Sequence, residues 1–233
     1  MSGFDIVSPV ILAGGTGSRL GKLTLATNKH LLPYKNDVVI DSVFRIAKTL
    51  TKPLVVTDSK SLPSISNYLG SEAYYGIQRE PLGIADAIKT AQSHCVADGI
   101  VVLLGDNYFD EENSTFISDC MSFQQEEGCT VFVKEVDDPK HYGVLHEKNS
   151  GRYKVTEKPK HPKSNLVLTG AYIFDDEIWH ILPTLEKSKR GEYEITDVVN
   201  QYAVKGKLNV ETLTGEWKDL GKSVEDYWKQ AKL

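Results

Sequence analysis

Short apolar runs alternate with segments of helical periodicity through the first half of the chain. The strand-length runs are 9–13, 53–57, 72–78 and 100–105, and the helix-period segments are 42–50, 83–95 and 115–127. Within 83–95 the apolar residues form one helical stripe, made of Ile84, Ala87, Ile88 and Ala91. Such a stripe predicts a helix packed on a sheet. The alternation predicts crossover units, a mostly parallel central sheet and helices on both of its faces.

The pattern changes after about residue 128. Strand-like runs come first, followed by helix-like stretches near 176–184 and 195–204, two further strand-like segments and the helical SVEDYWKQA. The sequence shows no linker, low-complexity stretch or internal repeat. It therefore predicts a single domain over 1–233, in which the second half, about 129–233, continues the sheet of the first half, about 1–128.

A glycine-rich turn, LAGGTGSRLGKL (12–23), follows the first predicted strand. Backbone N–H groups at a strand–glycine–helix junction bind anions, and a helix dipole adds favourable potential. The dinucleotide pattern G-x-G-x-x-G fails at Leu20, and the ATPase pattern G-x-x-x-x-G-K-[ST] fails at Leu23. Arg19 in the turn and Lys29 in the following TNKHLLP segment supply two cations, which suit a triphosphate.

Composition narrows the classes of ligand. The 233 residues carry a formal net charge of -5, which argues against a general nucleic-acid binder and leaves phosphate contacts to a local basic site. No apolar run reaches the length of a membrane span, and no secretory signal is evident. Three cysteines, Cys95, Cys120 and Cys129, lack metal-ligand spacing and fit reduced thiols. We therefore expect a cytoplasmic protein with small phosphorylated ligands and no nucleic-acid or membrane partner.

LAGGTGSRL followed by NKHLLP resembles the signature of the sugar-phosphate nucleotidyltransferases, and in particular of the glucose-1-phosphate thymidylyltransferase group. Seven further segments occur in that family's order: GIQREPLGIADAI, LLGDNYF, VDDPKHYGVL, EKPKHPKSN, LTGAYIFD, RGEYEITDV and EWKDLG. The resemblance implies a Rossmann-like, GT-A-like α/β fold with a nucleotide-binding first half and a sugar-binding second half. Fuller relatives add C-terminal helices that build a regulatory site, and no second nucleotide site of that kind is expected here.

The reaction that the resemblance implies is attack of a sugar-1-phosphate oxygen on the α-phosphorus of a nucleoside triphosphate, with release of pyrophosphate. A phosphate monoester is largely dianionic at neutral pH because its second pKa is about 6, so this nucleophile needs no general base. The protein has instead to align two polyanions and neutralise their charge. The implied substrates are glucose-1-phosphate and dTTP or UTP, and the implied cofactor is Mg²⁺.

Four charged residues are the candidates for this chemistry. The resemblance places Arg19 on the departing pyrophosphate and Lys29 on the phosphates near the reacting centre, where fixed cations stabilise developing charge. Asp106, directly after the run 100–105, and Asp219, in WKDLG, resemble the family's metal-binding pair, and Asp106 is counted as catalytic too. Such a pair suffices for Mg²⁺, which also takes phosphate oxygens and waters. The structural alternatives are a solvated cation pair and a helix cap at Asp219.

The predicted nucleotide-binding residues lie in the glycine turn and at later strand ends: Leu12, Ala13, Gly14, Gly15, Thr16, Gly17, Gln78, Pro81, Gly83 and Gly105. Among them, Gln78 and Gly83 resemble the family's base-reading pair. A Gln amide offers a donor and an acceptor that match the O4 and N3–H edge of thymine or uracil, which favours these bases over cytosine. A Gln amide can also turn over, so the sequence alone does not fix this preference.

The predicted sugar-phosphate-binding residues come mostly from the second half: Asn107, Tyr142, Gly143, Glu157, Lys158, Leu168, Tyr172 and Arg190. Glu157 can accept hydrogen bonds from two adjacent sugar hydroxyls, and Lys158 can pair with the sugar phosphate. Arg190 is either a phosphate contact or the partner of Glu192 or Glu194 in a salt bridge.

Two alternative functions stay open at this point. One is a nucleotidyltransferase of other specificity, for CTP, GTP or another phosphorylated substrate; the other is a non-catalytic homologue that senses nucleotide or sugar phosphate. A sensor is expected to lose the phosphate cations or the metal acids, and all four candidates are present here. His30, next to Lys29, is expected to neighbour the site, and the sequence is compatible with an oligomer.

Overall fold

The alternation of strands and helices runs through the computed structural model, which describes residues 7–15, 17–25, 27–95, 99–123, 127–148 and 152–231. The strands are β1 (Val7–Leu12), β2 (Pro33–Tyr34), β3 (Asp37–Val38), β4 (Leu54–Thr57), β5 (Tyr74–Ile77), β6 (Gly99–Leu104), β7 (Asn107–Phe109), β8 (Cys129–Glu135), β9 (Gly143–Glu147), β10 (Tyr153–Glu157), β11 (Leu166–Asp175), β12 (Leu208–Thr212) and β13 (Trp217–Asp219). The helices are α1 (Asp41–Lys48), α2 (Leu62–Leu69), α3 (Ile84–Ala91), α4 (Glu111–Phe123), α5 (Ile178–Ile181), α6 (Ile195–Lys205) and α7 (Val224–Ala231). None of these helices is long and apolar enough to cross a membrane.

A mixed sheet of nine strands within the described ranges joins the two halves of the chain. Its main path has the order β10-β9-β11-β6-β1-β4-β5, and β8 and β12 extend it beside β11. The strands β6, β1, β4 and β5 pair in parallel, as do β8 and β12. β11 runs antiparallel to β6, β8 and β9, and β10 runs antiparallel to β9. The predicted mostly parallel, mixed sheet is therefore confirmed.

Helices cover both faces of this sheet, as predicted. Successive residues of a strand point to opposite faces, so Val10 of β1 belongs to one core cluster and Ile11 to the other. The cluster around Val10 contains residues of α3, α5 and α6, and the cluster around Ile11 contains residues of α1, α2 and α4. The predicted α3 stripe faces the first cluster with three buried members, Ala87, Ile88 and Ala91.

The apolar pattern of the sequence misses α2. This helix, LPSISNYL, buries only Ile65 and Leu69, so its apolar residues are too few to mark a stripe. Pro63 lies in its first turn, the one helical position where a missing N–H costs little. A proline and two serines in eight residues resemble a loop in sequence, although tertiary packing makes the segment helical.

Helix α7 packs over the segment that follows the glycine turn. Leu20 of that segment, Tyr34 of β2 and Tyr227 of α7 belong to a third buried cluster. Tyr227 is 1% exposed, whereas the neighbouring Trp228 is 47% exposed. The last described helix therefore anchors the segment after the turn through Tyr227.

Strand β11 changes partner where a cleft opens in the sheet. Its residues 171–175 pair with β6, whereas Val167 pairs with Val144 of β9. The register with β8 shifts between Leu168 and Tyr172. Because β6 ends where β9 begins, the edge between them is open at the carboxyl ends of β1 and β6. This is the edge at which open α/β sheets bind ligands.

A buried carboxylate ties the far end of β11 to α6. Asp175 is 5% exposed and accepts hydrogen bonds from the Gly128 N–H (2.7 Å), the Tyr202 hydroxyl (2.7 Å) and the Glu177 N–H (3.1 Å). Tyr202 is itself fully buried in the first core cluster. These three hydrogen bonds satisfy the buried Asp175 carboxylate, which lies at the end of β11 away from the cleft.

We expect Tyr202→Phe to lower the free energy of unfolding by about 1 to 2 kcal/mol, because it removes one hydrogen bond from a buried carboxylate. Urea unfolding measures this change. Tyr153→Phe is the matched control, since Tyr153 is 39% exposed, and its effect should stay within about 0.5 kcal/mol. Equal effects of the two substitutions would contradict a stabilising role for the hydrogen bond between Tyr202 and Asp175.

Candidate active site

The open edge of the sheet forms a cavity of about 430 Å³. Nearly all of the predicted site residues line it: Leu12, Gly14, Gly15, Gly17, Arg19, Lys29, Gln78, Pro81, Gly83, Asp106, Asn107, Tyr142, Gly143, Glu157, Lys158, Leu168, Tyr172, Arg190 and Asp219. Ala13 and Gly105 are buried at the ends of β1 and β6, beneath the cavity lining. Thr16 lies outside the described residues. The structure thus brings the two predicted substrate sites together, while their roles stay predictions.

The glycine turn has a backbone that glycine adopts readily. Gly15 has φ 98° and Gly17 has φ 63°, both in the left-handed region. The chain then forms 3-10 turns over Ser18–Thr24, interrupted at Gly21, with no α-helix directly after the turn. The helix that starts after the glycine turn is therefore a short 3-10 helix. Backbone N–H groups and the exposed Arg19 are the groups that the turn offers an anion.

Asp106 lies two residues after the end of β6 and is held by a network of polar side chains. Lys29 Nζ lies 2.5 Å from Asp106 Oδ2, and the two side chains are only 15% and 18% exposed. Asn107 Nδ2 donates to Asp106 Oδ1 (3.1 Å), and Trp217 Nε1 donates to Asn107 Oδ1 (2.6 Å). Gly170 of β11 makes room for the Asn107 amide, since a Cβ there would lie 2.6 Å from Asn107 Cγ.

Asp219 lies next to Asp106 because β13 pairs with β7. In that register Asp219 is opposite Asn107, and the Leu220 N–H donates to the Asp106 carbonyl oxygen (2.9 Å). Burial and the negative charge of Asp106 raise the pKa of Asp219 to about 6. Burial also opposes the ionisation of Asp106, but the Lys29 ammonium holds the pKa of Asp106 well below its ordinary value.

The structural alternative for Asp219, a cap of α7, is excluded. Ser223 caps α7, because its hydroxyl oxygen accepts from the Asp226 N–H (3.0 Å). In the described part of the chain no group of three or more His, Cys, Asp or Glu side chains could hold a metal. The pair of Asp106 and Asp219 fits Mg²⁺, which needs few protein ligands when phosphate oxygens and waters complete its shell.

His30 lies beneath the cavity and does not line it. Its ring is fully buried, with Nδ1 2.7 Å from Asn28 Oδ1. Burial, with the nearby Lys29 charge, lowers the pKa of His30 to about 3. A neutral ring therefore packs under the strand end that carries Asp106. His30 is a neighbour of the site, as expected, and supports it from below.

The predicted base-reading pair lies at the β5 end of the sheet. Gln78 follows β5, and its backbone N–H donates to the Thr57 carbonyl oxygen (2.8 Å). Its side-chain Nε2 donates to Asp86 Oδ2 (2.8 Å) and to the Gly83 carbonyl oxygen (3.2 Å). Gly83 has φ 106°, and a Cβ there would meet the Tyr193 backbone nitrogen at 2.9 Å. Only glycine fits at this position.

The predicted sugar-phosphate residues lie at the β9–β10 end of the sheet. Glu157 ends β10, and Lys158 Nζ lies 3.2 Å from Glu157 Oε1. The Lys158 N–H donates to the Tyr142 carbonyl oxygen (2.9 Å), with the Lys158 backbone at φ 40°. A positive φ is uncommon outside glycine and concentrates at functional sites. The backbone therefore holds Lys158 in place at the wall of the cavity.

Arg190 is surrounded by carboxylates. Its Nη1 lies 3.1 Å from Glu157 Oε1 and 3.3 Å from Glu194 Oε1, and its Nη2 lies 2.7 Å from Glu192 Oε2. The salt-bridge alternative for Arg190 therefore describes this structure. Its contact with a phosphate stays a prediction.

Several residues that line the cavity were not predicted: Ser18, Ile84, Ala87, Leu104, His141, Thr169, Glu192, Glu194, Ile195, Thr196, Trp217 and Gly221. The strongest signal was available for Trp217, which stands two residues before a predicted metal ligand in EWKDLG. Ile195 and Thr196 open α6, and no local pattern places that helix beside the cavity. Asp86 stands within the quoted GIADAI segment, yet its contact with Gln78 depends on the turn between them.

Comparison with known proteins agrees with this fold and site. The family model described as "Nucleotidyl transferase" matches residues 8–233. The chain is 34% identical, over 91% of its own length and 77% of the relative, to a glucose-1-phosphate thymidylyltransferase of Mycolicibacterium smegmatis. The chain therefore belongs to the nucleotidyl transferase family, and the resemblance to the glucose-1-phosphate thymidylyltransferase group is confirmed.

Two solved structures share the architecture. A Bacillus anthracis protein described as a glucose-1-phosphate thymidylyltransferase, crystallised with a sucrose, superposes with a TM-score of 0.85 at 32% identity, covering 97% of this chain and 94% of that one. UDP-glucose pyrophosphorylase complexed with UDP-glucose gives a TM-score of 0.81 at 24% identity, with 97% of each chain covered. The predicted nucleotidyltransferase fold is thereby confirmed.

We expect Asp219→Asn to stabilise the protein at about pH 8 in the absence of divalent ions. The pKa of Asp219 in the folded state lies above its ordinary value of 3.8, so ionisation of this carboxyl costs stability as the pH rises through about 6. The gain should be about 2 kcal/mol at about pH 8 and disappear toward about pH 4. Unfolding measured across this pH range tests it.

Asp106→Asn is the matched contrast in the same experiment. It leaves the largely buried Lys29 ammonium without its closest carboxylate, so it should lower stability at about pH 8. Stability changes of the same sign in both variants would contradict this account, in which the surroundings disfavour the charged form of Asp219 and favour the charged form of Asp106.

Proposed function

We propose that the protein joins glucose-1-phosphate to dTTP or UTP, giving the nucleotide-sugar and pyrophosphate, with Mg²⁺ as cofactor. One observation supports this more than any other: a single cavity contains the base-reading end at Gln78, the charged centre at Lys29 and Asp106, and the carboxylate end at Glu157. Its volume of about 430 Å³ lies in the range of small-molecule sites. The relatives named above support the choice of glucose-1-phosphate and of a thymidylyl donor.

In the proposed reaction the sugar phosphate is its own nucleophile, so the side chains bind, align and neutralise charge. Arg19 is exposed on the glycine turn and forms no ion pair within the described ranges, and its forked guanidinium suits the departing pyrophosphate. Lys29 already neutralises Asp106, and the same ammonium can share its protons with a phosphate oxygen. Bound Mg²⁺, held by Asp106 and Asp219, would polarise phosphate oxygens and offset their charge.

At the other end, Glu157 accepts hydrogen bonds from sugar hydroxyls. Arg190 and Lys158 contact one of its oxygens, Oε1, which orients the carboxylate and leaves Oε2 for the sugar. Tyr172, buried in β11, forms the floor of this end, and burial raises the pKa of its hydroxyl well above the ordinary value. The phenol is therefore a neutral donor and acceptor at physiological pH.

We also propose a cytoplasmic location. The cysteines are unpaired, and burial raises the pKa values of Cys95 and Cys120 to about 11. Thiols of this kind are unreactive and fit a reducing compartment.

A matrix of nucleoside triphosphates against sugar-1-phosphates tests the proposed function. We expect pyrophosphate release only when Mg²⁺, a triphosphate and a sugar-1-phosphate are all present, with glucose-1-phosphate and dTTP or UTP giving the highest kcat/KM. Preference for CTP or GTP would favour a nucleotidyltransferase of other specificity. Absence of turnover in every combination, with binding retained, would favour the sensing homologue.

We expect Asp106→Asn to lower kcat by about 100-fold or more, because it removes a charge placed on the reacting phosphates. Circular dichroism monitors folding, and Asp119→Asn on the exposed side of α4 is the matched control that removes a carboxylate far from the cavity. Near-normal turnover by a folded Asp106→Asn protein would remove Asp106 from the proposed centre.

A further inference from the structure

The side-chain amide of Gln78 is fixed by groups that only accept hydrogen bonds. Its Nε2 donates to Asp86 Oδ2 at 2.8 Å and to the Gly83 carbonyl oxygen at 3.2 Å. A carboxylate and a carbonyl have no hydrogen to donate, so only the NH₂ group of the amide can face them. The reverse orientation would place three oxygen acceptors together. The orientation of this amide therefore follows from its partners rather than from a choice between two equivalent fits.

This orientation leaves Gln78 Oε1 as the atom presented to a ligand. The side chain lines the cavity, and an ideal Cβ built on Gly14 would lie 3.7 Å from Oε1. Oε1 thus points to the glycine turn, where the nucleotide is proposed to bind. At this position the cavity therefore offers a hydrogen-bond acceptor.

A hydrogen-bond acceptor at Gln78 Oε1 matches one kind of base edge. Thymine and uracil present an imide N3–H donor flanked by carbonyl acceptors, whereas cytosine presents an N3 acceptor next to an amine donor. The cytosine edge would place its N3 lone pair against Gln78 Oε1, and a buried polar mismatch of this kind is rejected strongly.

We propose that Asp86 is a specificity-determining positioning residue: by accepting from Gln78 Nε2, it keeps Oε1 toward the base and makes the site select an imide base over cytosine. This inference rests on the proposed function, since it assumes that Gln78 faces the base. Asp86 is half-buried in the first turn of α3 and lines neither the phosphate nor the sugar end. It acts through Gln78.

The test replaces Asp86 and measures selectivity. In Asp86→Asn the new amide can donate as well as accept, so Gln78 can turn over and offer its NH₂ group to cytosine N3. We expect the ratio of kcat/KM for dTTP or UTP to that for CTP to fall by about tenfold or more. Asp86→Glu, which keeps an acceptor-only group, should retain most of the wild-type ratio.

The control variant is Glu111→Gln. Glu111 is an exposed carboxylate in the first turn of α4, so the substitution removes the same charge from an equivalent helical position, and the ratio should not change. Asp86→Ser, whose hydroxyl both donates and accepts, provides the same test should Asp86→Asn fail to fold. Equal losses for all three nucleotides in these Asp86 variants would overturn the proposal and leave Asp86 a structural role.

Equilibrium binding separates this inference from the proposed function. Calorimetric titration with dTTP and with CTP, without sugar phosphate, reports base preference in the absence of turnover. A wild-type protein that binds dTTP selectively but turns over no nucleotide would overturn the proposed activity, and the Asp86→Asn binding ratio would still decide the role of Asp86. An unchanged binding ratio in folded Asp86→Asn would overturn the present inference alone.

Discussion

The ion pair between Lys29 and Asp106 is the interaction on which the rest of the site depends. Both side chains are largely buried, with 2.5 Å between the ammonium nitrogen and the carboxylate oxygen. Burial of two charges costs more in desolvation than their attraction returns, unless other hydrogen bonds complete them. Asn107 donates one such bond to Asp106, and Trp217 of β13 in turn donates to Asn107 of β7 and holds its amide in place. Apolar residues would serve stability equally well, so the pair is better explained by the chemistry of the cleft.

The shape of the cleft follows from the pairing of the strands, which is parallel in the first half of the chain and antiparallel around β11. The parallel strands of the first half end together and expose loops at one edge. β11 runs antiparallel to β6 along part of its length and pairs with β9 beyond the end of β6. The hairpin of β9 and β10 therefore lies opposite those loops. The register shift in β11 and the absence of a side chain at Gly170 let Asn107 reach into this junction. One long strand thereby sets the spacing between the two proposed substrate ends.

Much of the fold and of the candidate site could be predicted from the sequence, because secondary structure and the ends of strands depend mainly on residues that are neighbours along the chain. The alternation of strands and helices, the glycine turn and the placement of Asp106 after an apolar run all required only neighbouring residues. The 3-10 turns after Gly17 could not be predicted, since their geometry depends on packing under α7. The contact of Asp86 with Gln78 and the three carboxylates around Arg190 depend on side-chain directions across loops. Residue types alone do not encode these directions.

The distribution of charge gives the cleft a direction. Near the glycine turn, Arg19 forms no ion pair within the described residues and Lys29 has one carboxylate partner. Around Arg190 lie three carboxylates, Glu157, Glu192 and Glu194. Cations with few partners attract a polyphosphate, whereas carboxylates that are only partly neutralised accept from hydroxyls and repel phosphate. In the proposed reaction, this distribution of charge favours one orientation of a phosphorylated sugar, with its hydroxyls toward the carboxylates and its phosphate toward the centre.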